Sequence, residues 1–435
     1  MLRGILSYIQ VDNVVLSGNK LFSRIHVPDG YEKYIKNRDF FAEYDTYVDV
    51  DRSILNIPAV AVAISLAWLT GSNLYVDSID KAFKENMDKL QVLFKRMYPN
   101  LPGSTEIIAD ELVDNKIMVK DPDNRTSLFF SGGIDSTYSL LKNLEKNPYL
   151  VMIWGCDNFA YPERMTHWER AIDIYRDQAK RLGLEQFFVK TNVSQVLDDS
   201  RIAHDFYKIL NYRSLRISIS HSLVLLPLSA PLSINKFDHL LMAASGDASF
   251  DFDANPHACR PEADELIAWA DLKVSQDGMV HRDVKMRETS RYLEDDRLTI
   301  RVCLRTSEEA ARQGLLNDCS CEKCYRTIMN LIQEGIDPNT CGFRVDESMF
   351  KELQKYLQSD YVGSKNYYWG QIKSLIPEEI ESDLCGSKGF MEFLRGYELP
   401  EPVDPGLSRR LYYTLPYDVA RLVRLYLFNP LKIQI

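Results

Sequence analysis

No apolar run in the sequence is long enough to span a bilayer. The most hydrophobic stretch, residues 57–68, is interrupted by Pro58, and a span needs about 20 residues; it reads as a buried helix. The N-terminal MLRGILSYIQVDN lacks the apolar h-region and small-residue cleavage site of a secretory leader. Cysteine is scarce: 8 in 435 residues would make a thin disulfide framework, so a reducing cytoplasm is the expected compartment. An excess of positive charge is also missing. The 52 Lys and Arg against 62 Asp and Glu leave a net −10, a poor match for a protein that wraps nucleic acid. Internal repeats and low-complexity tracts are absent as well.

The composition that remains, 45% apolar and 26% charged, is that of a globular protein, and the length suggests two or three domains of roughly 150 residues. Residues 1–120 read as an N-terminal α+β domain. LFSRIHV and YDTYVDV alternate like strands, and Ile79, Phe83, Met87, Leu90, Phe94 and Met97 form one apolar helix stripe. Turn-rich LPGSTE and DPDNRT place a domain boundary between 100 and 123. From 121 to 340, strand-like SLFF, YLVMIWG, QFFVKTNV and HLLMAAS alternate with helical stretches such as HWERAIDIYRDQAKRLGL. That alternation predicts an α/β fold, a doubly wound, mostly parallel sheet with helices on both faces. Residues 341–435 read as mainly helical, with an Arg-rich end (Arg409, Arg410, Arg421, Arg424) that is either a solvated helix face or a contact for an anion or partner.

Chemistry concentrates in SLFFSGGIDSTYSLL, residues 127–141. It is neither a Walker A loop nor a GxGxxG turn. At the carboxyl end of a parallel strand, glycines admit an oxyanion close to the backbone, hydroxyls add hydrogen bonds, and the next helix presents its positive end. Ser131, Gly132, Gly133, Ser136 and Thr137 therefore suit a phosphate chain. Asp135 would repel it without a cation between them, which points to Mg²⁺.

A second concentration is RVCLRTSEEAARQGLLNDCSCEKCYRT. Cys303, Cys319, Cys321 and Cys324 suit a closed tetrahedral Zn²⁺ site; a redox CxxC and plain buried thiols are the competing readings. The other cysteines, Cys156, Cys259, Cys341 and Cys385, are expected to be unpaired. Cys156, after the second strand of this region, is a structural thiol or a catalytic one.

SGGIDST resembles the SGGxDS motif of the PP-loop ATP pyrophosphatases, which cleave ATP between the α- and β-phosphates. Together with the C-terminal cysteines, with DFDANPHACRPE at 251–262 and with Arg326 after the last cysteine, residues 125–335 look like 7-cyano-7-deazaguanine synthase. The resemblance implies an adenine nucleotide alpha hydrolase-like fold with a C-terminal zinc-binding subdomain. It also implies ATP, Mg²⁺ and Zn²⁺ as cofactors, and Asp135 and Ser131 as the catalytic pair. The implied chemistry is attack of a carboxylate on the α-phosphate, release of pyrophosphate, and displacement of AMP by ammonia or another amine. Asp251 and Arg260 become candidate substrate contacts, Arg260 holding a carboxylate or making a surface salt bridge. Asp157 and Asp247 follow strands and are candidates for ribose, metal or a helix cap. Three features depart from the family: Cys319 and Cys321 are one residue apart, the aspartate before Cys-Arg is displaced to His257-Ala258, and the second strand ends in Trp154-Gly155-Cys156-Asp157.

His167, His204, His221 and His257 are candidates for proton transfer or for plain structural roles. Two rival functions stay open, a sulfur transferase acting on RNA and a non-catalytic nucleotide-binding assembly protein. Nucleic acid and membranes are not expected partners; a homodimer or a protein partner would use the terminal segments.

Overall fold

The computed structural model describes residues 8–103, 105–156, 165–293, 298–303, 306, 308–359, 366–400 and 406–428. The chain divides into two compact units. One holds the described residues up to Ser131, then Asp135–Trp168 and Ala179–His281; the other holds Gly132–Ile134, Glu169–Gln178 and the chain from Arg282 onward. Among the described residues, no helix is long and apolar enough to cross a membrane.

The first unit is built on one ten-stranded sheet. Its strands are β1 (Ile9–Ser17), β2 (Lys20–His26), β3 (Asp39–Tyr44), β4 (Leu74–Asp80), β5 (Ile107–Val113), β6 (Thr126–Phe129), β7 (Tyr149–Trp154), β8 (Gln186–Thr191), β9 (His239–Ala243) and β10 (Lys273–Asp277). They lie in the order β10-β9-β6-β7-β8-β3-β2-β1-β4-β5. β1–β2, β2–β3 and β3–β8 pair antiparallel and the other neighbours pair parallel, so the chain is α/β with a mostly parallel sheet.

Local sequence accounts for these elements. β6, with β9 and β7 on its two sides, is buried at every position, as a central parallel strand requires. β1 and β2 alternate buried and exposed residues and meet through Gly18-Asn19, where Gly18 supplies a φ of +62°. The helix Ile57–Thr70 is buried from Ile57 through Leu69 and stops at Gly71, φ +69°. The next helix, Lys81–Met97, is capped by Asp80 accepting from the Phe83 amide at 2.8 Å, and it buries the stripe Phe83, Met87, Leu90, Phe94 and Met97.

The N-terminal segment is not a domain apart. β3 hydrogen-bonds to β8 through Ala42↔Thr191 and Tyr44↔Val189, so residues expected in separate domains share one sheet. The expected linker at 100–123 contains β5, which pairs with β4. YDTYVDV is a strand only at its first residue, Tyr44.

The second unit is helical where the sequence read as helical. Its helices include Arg282–Leu293, Glu322–Gln333, Glu347–Leu357, Asn366–Ser374, Lys388–Gly396, Gly406–Thr414 and Tyr417–Val423. The longest segment of this unit begins at Arg282.

Candidate functional site

The SGGIDST turn leaves β6 at its carboxyl end and runs into the helix Ile134–Lys142. The Ser131 amide donates to Ser136 Oγ at 3.3 Å, and the two hydroxyl oxygens are 3.2 Å apart. The start of the helix is thereby tied back on the strand end. Ser131 is exposed, Asp135 half-buried, and Ser136 and Thr137 buried. The Thr137 hydroxyl has no hydrogen-bonding partner among the described residues.

Gly132 has two independent reasons to be glycine. Its φ is +74°, and a Cβ built there would lie 1.9 Å from Tyr175 Oη. Its carbonyl accepts from the Arg301 amide at 2.8 Å. Burial pushes the Tyr175 phenol up, only partly opposed by Arg301, so Tyr175 is a neutral wall beside this glycine. Asp135 sits in the first helical turn, where a carboxylate is favoured by the helix dipole whether or not it also meets a cation.

The other expected contacts are spread over the ends of the strands. Asp157 lies outside the described residues. Asp247, after β9, accepts from the Ser249 amide at 2.8 Å and lies 3.7 Å from His281 Nε2. Asp251 accepts from the amides of Asp253 and Ala254 at 3.0 and 2.9 Å, folding its own turn. Arg260 is buried and engaged: Nε meets Glu262 at 2.6 Å and Nη1 meets Asp253 at 3.1 Å. A substrate carboxylate would have to displace one of these acids. His167 is buried, His204 contacts Asp205 at 2.9 Å, and His221 and His257 both lie against Cys259. Cys156 is buried, with Arg216 Nη2 at 3.9 Å from its sulfur.

The cysteine cluster lies within the second unit. Cys303, Asp318, Cys321 and Cys324 bring their ligand atoms within 4.8 Å of one another. Cys321 Sγ is 3.5 Å from Cys324 Sγ and 3.8 Å from Cys303 Sγ, and Asp318 Oδ1 is 3.0 Å from Cys303 Sγ. Zinc–sulfur bonds near 2.3 Å in a tetrahedron put sulfurs about 3.8 Å apart, so the spacing fits one ion. Cys321 sits at the N-terminal boundary of the helix Glu322–Gln333 and Cys324 lies in its first turn, where the positive helix end favours thiolates.

Cys319, expected as a ligand, turns its sulfur to the Arg344 amide at 3.2 Å. Its φ is +56°; with one residue between Cys319 and Cys321 the backbone sends the two sulfurs to different places, and Asp318 takes the fourth position. The sequence signal for Asp318 was its place in NDCSCEKC, an oxygen donor next to the thiols. Contact with Cys321 pushes Cys303 up to about 11, and contact with Cys303 and Cys321 pushes Cys324 up as well. Burial pushes Cys319 up to about 11. Neighbouring thiols thus oppose the ionisation of Cys303 and Cys324, and a divalent cation is the group that would let the cluster ionise. Arg326 pairs with Glu322 at 2.6 Å and stacks on Tyr368 at 3.9 Å; both contacts hold the cluster's helix.

No protein-family model, curated protein or solved structure matches this chain.

Proposed function

We propose that the chain is an ATP-dependent carbon–nitrogen ligase of the PP-loop kind, which adenylates a substrate carboxylate and lets ammonia or another amine displace AMP. One observation carries the reading. The SGGIDST turn stands at the carboxyl end of β6, and β7 and β9, the strands on its two sides, leave in opposite directions along the sheet. The run β8-β7-β6-β9-β10 follows the chain order 3-2-1-4-5 of doubly wound sheets, whose ligands bind where the order reverses. An adenine nucleotide alpha hydrolase-like fold would put that reversal at β6.

In this reading Ser131, Gly132, Gly133, Ser136 and Thr137 cradle the pyrophosphate, and Asp157 contacts the nucleotide. Asp135 would hold Mg²⁺, whose charge eases departure of pyrophosphate from the α-phosphate. The chain itself positions the carboxylate and aims N–H donors at charge that develops at phosphorus, with oxyanion donors worth about 3 kcal/mol each in other enzymes. Asp251 and Arg260 belong to the segment that would meet the substrate, a deazaguanine carboxylate or another small acid. Zn²⁺ on Cys303, Asp318, Cys321 and Cys324 would be structural.

The test is incubation with Mg²⁺-ATP, ammonia and candidate carboxylates, read by pyrophosphate release and by mass spectrometry of the amide. Asp135→Asn should abolish pyrophosphate release while the circular dichroism spectrum stays unchanged; an unaltered rate would remove the role of Asp135. Release that depends on RNA and a sulfur donor would select sulfur transfer instead, and no release with any acceptor would leave a nucleotide-binding protein.

A further inference from the structure

Cys259 stands apart from the other thiols. It is partly accessible, and its Sγ lies 3.0 Å from His221 Nδ1 and 3.8 Å from Ser222 Oγ. Its backbone is pinned on both sides. The Cys259 amide donates to His257 Nδ1 at 3.1 Å, and its carbonyl accepts from Gln276 Nε2 at 2.7 Å. The same Gln276 nitrogen donates to Asp264 Oδ2 at 2.6 Å. Asp264 is completely buried, and its Oδ1 has no hydrogen-bonding partner among the described residues.

This electrostatic setting is unusual for a thiol. Burial pushes Cys259 up, but the charge and hydrogen bond of His221, with help from His257, outweigh it and bring the thiol down to about 6. Burial, then the charge of Cys259, pushes the Asp264 carboxyl up to about 7, with Ser222, Gln276 and His221 only partly opposing. Cys303, Cys319, Cys324 and Cys385 are all pushed up instead.

The sheet register places this group. Leu128 of β6 pairs with Leu241 of β9, which pairs with Ser275 of β10. Gln276 is therefore level with Phe129, the last residue of β6, and two strands away, about 10 Å along the sheet. The Asp277 side chain meets Lys142 of the helix Ile134–Lys142 at 3.0 Å. Successive side chains point to opposite faces, so Gln276 and the Cys259 it holds lie on the face away from that helix. A ligand seated at the strand ends between β6 and β9 would have Ser131 and Ser136 on one side and Cys259 on the other.

We propose that Cys259 is a covalent nucleophile, with His221 as its base, that takes an acyl group from an activated carboxyl as a thioester. The identity of the donor as an acyl-adenylate rests on the function proposed above. His221 accepts the thiol proton, and the thiolate attacks the acyl carbon. The new S–C bond forms as the C–O bond to AMP breaks, and AMP leaves with the electron pair. An amine then attacks the thioester carbon, the C–S bond breaks, and the amine proton is released to solvent as the thiolate reforms. No electrons change hands. Such a site would protect the activated carboxyl from water between its formation and the arrival of the amine.

The test uses the full chain and two probes, iodoacetamide and acetyl-AMP. Peptide mapping should show Cys259 alkylated first at pH 6.5, with a rate midpoint near pH 6. His221→Asn should move that midpoint toward about 8.5 and slow the reaction at pH 6.5 roughly 80-fold, in proportion to the thiolate fraction lost. Acetyl-AMP should leave a hydroxylamine-sensitive acetyl group on Cys259, absent from Cys259→Ser. A midpoint near that of an ordinary thiol, or no acetyl transfer from acetyl-AMP, overturns the nucleophile. Pyrophosphate release from ATP, scored separately, tests adenylation on its own. Its absence alongside acetyl transfer would remove the ATP reading and leave the nucleophile standing. Release and amide formation at the wild-type rate in Cys259→Ser would do the reverse.

Discussion

Gly132→Ala separates what the turn does for the fold from what it does for chemistry. Two costs add in this variant. An alanine held at φ +74° pays about 1–2 kcal/mol for the left-handed conformation. Its Cβ would meet Tyr175 Oη at 1.9 Å, Cζ at 2.3 Å and Cε1 at 2.8 Å, an overpacking that costs about 1–3 kcal/mol once the surroundings relax. The sum is roughly 2–5 kcal/mol. Tyr175→Phe should relieve little of it, because the ring atoms still collide. In a Tyr175→Ala background only the backbone part remains, so the same glycine substitution should cost roughly 1–2 kcal/mol there. Urea unfolding of wild type, both single variants and the double variant closes the cycle. A Gly132→Ala cost under about 1 kcal/mol, or one that is undiminished when Tyr175 is truncated, would refute the steric argument.

Two further outcomes follow from the clusters. Purified protein should carry about one zinc per chain, measured by atomic emission; Cys324→Ser should lose it, whereas Cys319→Ser should keep it, because Cys319 bonds the Arg344 amide instead. Asp264 is held near 7 in the folded chain against an ordinary 3.8, so folding favours its protonated form. Its contribution is present below pH 4, falls as pH rises to about 7 and is flat above that, a loss of roughly 4 kcal/mol. Comparison of urea midpoints across this range should show a shallower decline in Asp264→Asn; equal slopes would rule the assignment out.

The α/β core was legible because its strands announce themselves. SLFF, YLVMIWG, QFFVKTNV and HLLMAAS are apolar runs, and each supplies a strand of the sheet. Burial on two faces leaves no room for polar alternation. β5, IIADELV, escaped notice for the opposite reason: it is an edge strand with most positions partly or fully exposed, so its sequence resembles a linker. The joining of the N-terminal strands to the rest was hidden because β3–β8 pairing depends on register between distant segments, which no local pattern encodes. Three of the four residues in the candidate metal cluster were legible. Thiol spacing exposed Cys303, Cys321 and Cys324, while the positive φ at Cys319 that brings Asp318 forward is a backbone fact. Cys259 was invisible as a nucleophile because His221 lies 38 residues upstream and meets it only in three dimensions.

The β3–β8 seam also sets a schedule for synthesis. Ala42 pairs with Thr191, a separation of 191 − 42 = 149 residues. At about 5–20 residues per second, a ribosome needs roughly 7–30 s to deliver the partner strand. Throughout that interval β3 lacks its β8 partner, and an unpaired strand edge is the kind of surface on which chains pair with one another.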